Sequence, residues 1–322
     1  MSVSSIKKIF YIGIFISLSV LLIGCNQGIF VDRLEISASR LHLDSEGDST
    51  IVQVTSSDWI VSQIQTDIKN PGVLFCKKYD ASGNLINDSE PLEYLDLRAD
   101  QKLIFEDEYV NFTVQRLQPN QLKIITGENL RNHDFEFQIM VSDLYGTTGV
   151  TITQQAGSGY LFDTIIYTLR PHTYTTYFAE KPPYLTIHNH TDHEIAYPVS
   201  VFSEESQMLY FSSDNRKIFS YLEDADRQIV YPHMTNASEL KISGNTALFS
   251  SDKQDKPLPF DDVIKTVYIP VGSRKICRLI EYEEYEADFT LYVKNEKKRK
   301  CMRGVFHCKM PTGAYYVILR HL

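Results

Sequence analysis

The feature that most restricts the fold of this chain is an alternation of apolar and polar residues in short runs separated by turn residues. The pattern begins with Leu34, Ile36, Leu41 and Leu43 and continues with period two in Ile51–Thr55. A period of two places successive side chains on opposite faces of a β-strand. Helical periodicity is scarce, and Tyr, Thr, Ile and Val, which favour strands, are abundant. The pattern predicts an all-β protein.

The second constraint is size. With 322 residues and a hydrophobic content of 43%, the chain is too long for one small core and too apolar to be disordered. Gly157-Ser158-Gly159 follows a completed strand pattern, so we place a domain boundary there. Short strands separated by turns then predict two β-sandwich domains in tandem, residues 34–157 and 160–322. In the second, Leu185–Asp192 and Val267–Ser273 loosely resemble immunoglobulin-like strands and turns.

The N-terminus has the layout of a secretory signal peptide. Lys7 and Lys8 precede an apolar run, Ile9–Ile23, that is shorter than the ~20 residues a membrane-spanning helix needs. The ending Leu22-Ile23-Gly24-Cys25 resembles the lipobox of bacterial lipoproteins. The resemblance implies removal of residues 1–24, acylation of Cys25, a tether over residues 25–33 and anchoring in the cell envelope. We expect the outer membrane, with the side of the membrane undecided; a short span or a plain secretory signal are the alternatives.

The first domain carries a second resemblance. Leu34-Glu35-Ile36-Ser37, Val52–Ser56 and Asp58-Trp59-Ile60-Val61-Ser62 look like the opening of a BACON domain, a small β-sandwich common in Bacteroidetes surface and secreted proteins. Phe135–Ser142 and Gly149–Gly157 look like its closing strands. The resemblance implies a core position for Trp59. Residues 67–127 are an expansion of the family's compact pattern, built either as extra strands or as a separate lobe.

The net charge argues against a nucleic-acid partner, and the spacing of the cysteines argues against a zinc site. The formal charge of −9, or −11 once Lys7 and Lys8 are removed, should repel phosphate backbones, so we expect no nucleic-acid partner. Four cysteines remain beside Cys25, without the paired spacing of a zinc site: Cys76, Cys277, Cys301 and Cys308. On one strand Cys301 and Cys308 would face opposite sides. Either could pair with Cys277, or all could be free buried thiols.

Two clusters of titratable residues are candidates for chemistry. His188, His190, Asp192 and His193 could coordinate a divalent metal, because His188 and His190 share a face on a strand. Asn-His-Thr-Asp is also good turn chemistry, which we favour. Glu281–Glu286 could supply the paired carboxylates of a glycosidase, but adjacent strand residues face opposite sides, and we favour a solvated hairpin end. His307-Cys308 is not a catalytic dyad by adjacency alone. The chain also lacks nucleophile-elbow and phosphate-loop motifs.

Tyrosines provide the remaining candidate site. Tyr174 and Tyr177 lie in a stretch, Thr173–Tyr177, that we interpret as an exposed loop where rings could stack on sugars. The expected function is a non-catalytic, lipid-anchored envelope binding protein without cofactors, with a carbohydrate or mucin as its ligand. One alternative is a structural or assembly module contacting another envelope protein. A less favoured alternative is a metal-dependent hydrolase using the cluster at 188–194.

Overall fold

The computed structural model describes residues 33–69, 72–222 and 227–321, and it is almost entirely β-structure. This confirms the all-β class. The described chain divides into two compact units. Unit 1 holds the residues up to Glu106 with Asn111–Gly127 and Asp134–Gln155, and unit 2 holds Asp107–Val110, Glu128–His133 and the chain from Ala156 onward. The predicted signal peptide, Cys25 and residues 26–32 of the predicted tether lie outside the described residues.

Unit 1 consists of two sheets packed face to face. The first has the strand order β1-β10-β9-β3, with β1 parallel to β10, and the second has the order β2-β8-β7-β6-β4-β5. Phe112 of the second sheet stacks on Phe137 of the first, with ring centroids 4.4 Å apart. The strands are β1 Arg40–Leu43, β2 Asp48–Gln53, β3 Ile60–Thr66, β4 Phe75–Tyr79, β5 Leu85–Pro91, β6 Lys102–Glu106, β7 Asn111–Gln118, β8 Gln121–Thr126, β9 Phe135–Ser142 and β10 Thr147–Gln154.

The expansion at residues 67–127 adds strands to this sandwich. β4 to β8 all belong to the sheet that contains β2, and β8 pairs with β2 directly. The sole tryptophan, Trp59, is buried as predicted. Its indole N–H donates to the carbonyl of Pro119 at 2.6 Å, and the guanidinium of Arg116 lies 4.2 Å from the ring centroid. The expansion therefore supplies partners for the core aromatic of the sandwich.

Unit 2 is built on one long sheet of order β11-β19-β20-β14-β17. β12 also pairs with β19, along Gly272–Glu284, whereas β11 pairs along Ala287–Lys294. Two small sheets, β13-β18 and β15-β16, accompany it. Its strands are β11 Leu161–Leu169, β12 Thr175–Asn189, β13 Ile195–Ser200, β14 Gln207–Ser212, β15 Gln228–Asn236, β16 Glu239–Leu248, β17 Gln254–Lys256, β18 Ile264–Ile269, β19 Gly272–Lys294 and β20 Arg299–His321. A 3₁₀ helix spans Arg216–Ser220.

The two long strands bury opposite faces at their two ends. We call face A the side of the sheet that carries Ile280, Glu284 and Glu286, and face B the side that carries Leu279, Tyr285 and Phe289. On face B, Tyr285, Phe289 and Phe306 pack in a core with β15 and β16. On face A, Ile276 and Ile280 pack in two smaller cores with β13, β18, the loop after β13 and the loop before β18. Each face is therefore open where the other is covered.

Two sequence predictions on unit 2 are wrong. Glu281–Glu286 is not the hairpin end that the sequence predicts, because β19 is continuous from Gly272 to Lys294. β20 is likewise continuous from Arg299 to His321. The glutamates stay in the strand because alternate ones point to the open part of face A. Thr175–Tyr177, predicted as loop, begins β12.

Candidate functional site

A groove of about 380 Å³ lies on the part of face A that β13 and β18 leave uncovered. Strand pairing builds it in two rows. Tyr210, His307 and Glu286 are direct neighbours across β14, β20 and β19. The next row, on the same three strands and β12, lines the same groove with Met208, Lys309, Glu284 and Thr175. Lys253 and Thr173 come from the loops before β17 and β12.

The imidazole of His307 lies at the centre of the first row. It is stacked on the Tyr210 ring with centroids 4.3 Å apart and an interplanar angle of 5°. Its Nδ1 lies 3.2 Å from a Glu286 carboxylate oxygen and its Nε2 lies 2.8 Å from Ser212 Oγ. Burial lowers the pKa of His307 more than the neighbouring Glu286 carboxylate raises it. The neutral imidazole therefore forms a fixed, flat wall with Tyr210.

The charged side chains of the groove are of both signs. Glu286 accepts a hydrogen bond from Arg170 at 2.9 Å, and Arg170 also lies 3.3 Å from Asp288. Lys253 Nζ lies 6.0 Å from the Tyr210 ring centroid, on the loop before β17. Glu284 and Lys309 are neighbours across β19 and β20. The groove therefore brings together carboxylates that accept hydrogen bonds, ammonium groups that donate them and an aromatic surface.

The two tyrosines proposed from the sequence lie on different sides of unit 2. Tyr177 continues face A beyond the groove, pairs with Tyr282 and stacks on it with ring centroids 6.0 Å apart. Lys309 Nζ lies 5.2 Å from the Tyr177 centroid, and a hydrogen bond to Tyr177 is the main cause that raises the pKa of Lys309. Tyr174 instead packs against the face B core, and its hydroxyl donates to Glu283 at 3.3 Å. Of the two tyrosines, only Tyr177 borders the groove.

The histidine cluster at the end of β12 is organised as a turn. The Asn189 side chain is buried and donates to the carbonyls of His193 and Ile269, at 2.8 and 2.9 Å, while its oxygen accepts from Thr191. His188 is hydrogen bonded to Ser273, and His193 to Asp192. His188 and His190 have parallel rings 6.1 Å apart. Across the described residues, no group of three or more His, Cys, Asp or Glu side chains is arranged to hold a metal ion.

The glutamates of β19 lie on different faces of the sheet according to whether their residue numbers are odd or even. Glu281 and Glu283 lie on face B, where Glu281 accepts from Thr312 and burial raises the pKa of Glu283. Glu284 and Glu286 lie on face A in the groove. The sequence indicated this acidic stretch but not which side chains lie beside it. Tyr210, Lys253 and His307 come from distant segments, and only strand order brings them together.

Comparisons with known proteins place this chain in no family. No family model matches it, and no curated protein matches it. A solved structure of a protein from Bacteroides thetaiotaomicron shares 15% identity, with 41% of this chain and 94% of that chain covered, at a TM-score of 0.26. A lamprey immune protein shares 11% identity, with 85% of this chain and 98% of that chain covered, at a TM-score of 0.34. Likenesses this distant carry no argument about function.

Within the described residues, no helix is long and apolar enough to cross a membrane.

Proposed function

We propose that this chain is a non-catalytic, lipid-anchored binding protein of the cell envelope, and that unit 2 binds carbohydrate in the groove on face A. One observation carries the proposal: the groove combines the stacked Tyr210–His307 wall with the carboxylates of Glu284 and Glu286 and the ammonium groups of Lys253 and Lys309. Its volume of about 380 Å³ falls in the ~300–1,000 Å³ range of small-molecule sites.

The chemistry of a sugar fits these groups. The C–H face of a pyranose packs on a flat aromatic surface, and the Tyr210 ring offers one because its orientation is fixed by His307. Sugar hydroxyls both donate and accept, so they suit a site in which carboxylates accept and ammonium groups donate. Tyr177, which stacks on the buried ring of Tyr282, continues face A beyond Lys309 and would contact a second sugar unit.

The anchor and the compartment rest on the sequence alone. The ending Leu22-Ile23-Gly24-Cys25 supports attachment through a lipid on Cys25, with stable insertion because each buried methylene contributes ~0.8 kcal/mol. The resemblance of unit 1 to a BACON domain supports a spacer between membrane and binding unit. Protease shaving of intact cells tests the orientation: loss of the protein places it outside, and protection places it in the periplasm.

A second candidate function is an assembly module that contacts another envelope protein. The observation that favours it is the uncovered part of face B, where Phe178, Tyr184 and Tyr316 are exposed. The metal-dependent hydrolase has only the sequence cluster of His188, His190, Asp192 and His193 behind it. Metal analysis of residues 26–322 separates it: stoichiometric zinc that is lost in His188→Ala or His190→Ala supports it, and a metal-free protein rules it out.

The main test is a glycan array probed with residues 26–322, followed by calorimetry on any glycan that binds. We expect Tyr210→Ala and Glu284→Gln each to weaken binding about tenfold, equivalent to about 1.4 kcal/mol. Tyr94→Ala is the matched control, because Tyr94 is an exposed tyrosine of unit 1. Unchanged melting temperatures would show that the variants fold. Absence of any glycan signal, or equal affinity in all variants, would disprove the groove as a carbohydrate site.

A further inference from the structure

The second half of β20 forms an open edge of the long sheet. β14 pairs with β20 only at Val305–Lys309, whereas β19 pairs with the other side of β20 as far as His321. Over residues 33–69, 72–222 and 227–321, no strand pairs with the outer side of Pro311–His321. An open edge presents a row of backbone N–H and C=O groups, and the group that satisfies such a row is another β-strand.

This edge lacks the devices that usually prevent pairing. Ala314–His321 reads Ala-Tyr-Tyr-Val-Ile-Leu-Arg-His, which contains no proline, no glycine and no charge before Arg320. The other open strand of the same region, β12, carries Pro182, and its pairing with β19 is interrupted between Lys181 and Leu185. Proline and irregular pairing block strand addition. Of these two open strands, β20 is therefore the one suited to a partner strand.

Apolar side chains extend the edge onto face B. Tyr316 is 60% exposed and Ile318 is 37% exposed, and Tyr316 lies against the ring of Phe178 with centroids 5.2 Å apart. The intervening Tyr315, Val317 and Leu319 point to face A and pack against its cores. An incoming strand would thus extend a sheet whose face A is packed against cores and whose face B is exposed at this end.

We propose that the partner is a second copy of this chain, paired antiparallel through β20 about a two-fold axis at Val317. In this register Tyr316 lies opposite Ile318 of the other copy, and Tyr315 opposite Leu319, so apolar residues face apolar residues on both sides of the sheet. Arg320 lies opposite Ala314, which avoids a like-charge pair, and the Glu180 carboxylate within the same chain already binds its guanidinium at 2.9 and 3.1 Å. A two-fold axis requires such self-complementarity, and the edge supplies it.

The first experiment measures the mass of residues 26–322, which include every residue that the structure describes, by light scattering after size exclusion. Over a roughly hundredfold range of concentration we expect a reversible monomer–dimer equilibrium. Ile318→Lys should weaken it at least about tenfold, because a charge at the edge opposes strand addition. Ile264→Lys is the matched control, since Ile264 is 72% exposed on β18, and it should dimerise normally. A protein that is monomeric throughout, or a dimer that Ile318→Lys does not weaken, overturns the proposal.

The second experiment tests the register. In a Cys301→Ser background, Tyr316→Cys combined with Ile318→Cys should give a disulfide-linked dimer on mild oxidation, because the two positions face each other across the axis. Thr266→Cys combined with Tyr268→Cys, an exposed pair with the same spacing on β18, should stay monomeric. Equal cross-linking in both double variants, or none in the first, contradicts the register at Val317. Neither experiment involves the groove, so each result stands apart from carbohydrate binding.

Discussion

At the scale of single residues, the four cysteines after Cys25 show what strand parity can and cannot predict. Cys301 and Cys308 lie on the same strand at an odd separation, and they face opposite sides as expected: Cys301 is exposed and Cys308 is buried. All four described cysteines are free thiols. Burial raises the pKa of Cys76 to about 12 and that of Cys308 to about 11, and it also raises the pKa of Cys277.

This arrangement predicts the thiol reactivity of residues 26–322. One thiol, Cys301, should react rapidly with a maleimide in the native protein, and all four should react after unfolding in guanidinium, because only an accessible thiolate is nucleophilic. Counting added labels by mass spectrometry checks both numbers. Cys301→Ser should leave no fast thiol. A disulfide in the purified protein, or a second thiol that labels rapidly, would contradict the structure.

His307 gives a prediction on pH. Burial lowers its pKa below the ordinary value of 6.5, so between these two values the unfolded chain binds more protons than the folded one. Its contribution to the free energy of unfolding is complete above 6.5 and decreases as the pH falls through 6.5 towards the folded-state pKa.

Urea unfolding of wild type and His307→Gln at pH about 7.5 and about 5.5 measures this contribution. We expect the wild type to lose more stability on acidification than His307→Gln. His193→Gln is the control, because His193 is an exposed residue of the turn after β12, and it should behave as wild type. Equal losses in wild type and His307→Gln would show that His307 is not a source of the pH dependence.

At the scale of elements, the continuity of β19 and β20 was hidden by a change in which residues are apolar. The buried residues of β19 that join the hydrophobic cores are Ile276, Ile280 and Tyr282 at one end and Tyr285, Ala287, Phe289, Leu291 and Val293 at the other. A change from even to odd positions looks in sequence like a break between two strands. The strand is in fact unbroken, and the cores that cover it lie on face A at one end and on face B at the other.

Gly304 allows β20 to lie close to its neighbours. A Cβ at this position would come within 2.2 Å of the Ser212 carbonyl oxygen and 2.5 Å of the Phe289 ring. We expect Gly304→Ala to lower the free energy of unfolding by about 1–3 kcal/mol, because backbone and ring would both have to move. Gly244→Ala is the control, since a Cβ on Gly244 would meet nothing within 4 Å. Denaturant unfolding of both variants checks this, and equal stabilities would contradict the close packing.

At the scale of the whole molecule, the candidate site shows the limit of the sequence. The acidic stretch at Glu281–Glu286 and Tyr177 drew attention from the sequence, and both reach the groove or its border. Tyr210 did not, and His307 did so only as the neighbour of Cys308, although the two rings form the wall of the groove. They are far apart along the chain, and they stack only because β14 pairs with β20 in the register that sets them side by side.

The sequence by itself determined the all-β class, because period-two alternation and β-branched and aromatic residues favour strands wherever they occur. It also determined the burial of Trp59 and the opposite faces of Cys301 and Cys308, which follow from local pattern and parity. Only the tertiary structure decided that residues 67–127 extend a sheet of unit 1, that β19 and β20 are continuous, and where the groove and the open edge lie. The physical reason is that strand order, register and the covering of each face are set by contacts between distant segments, which local alternation does not encode.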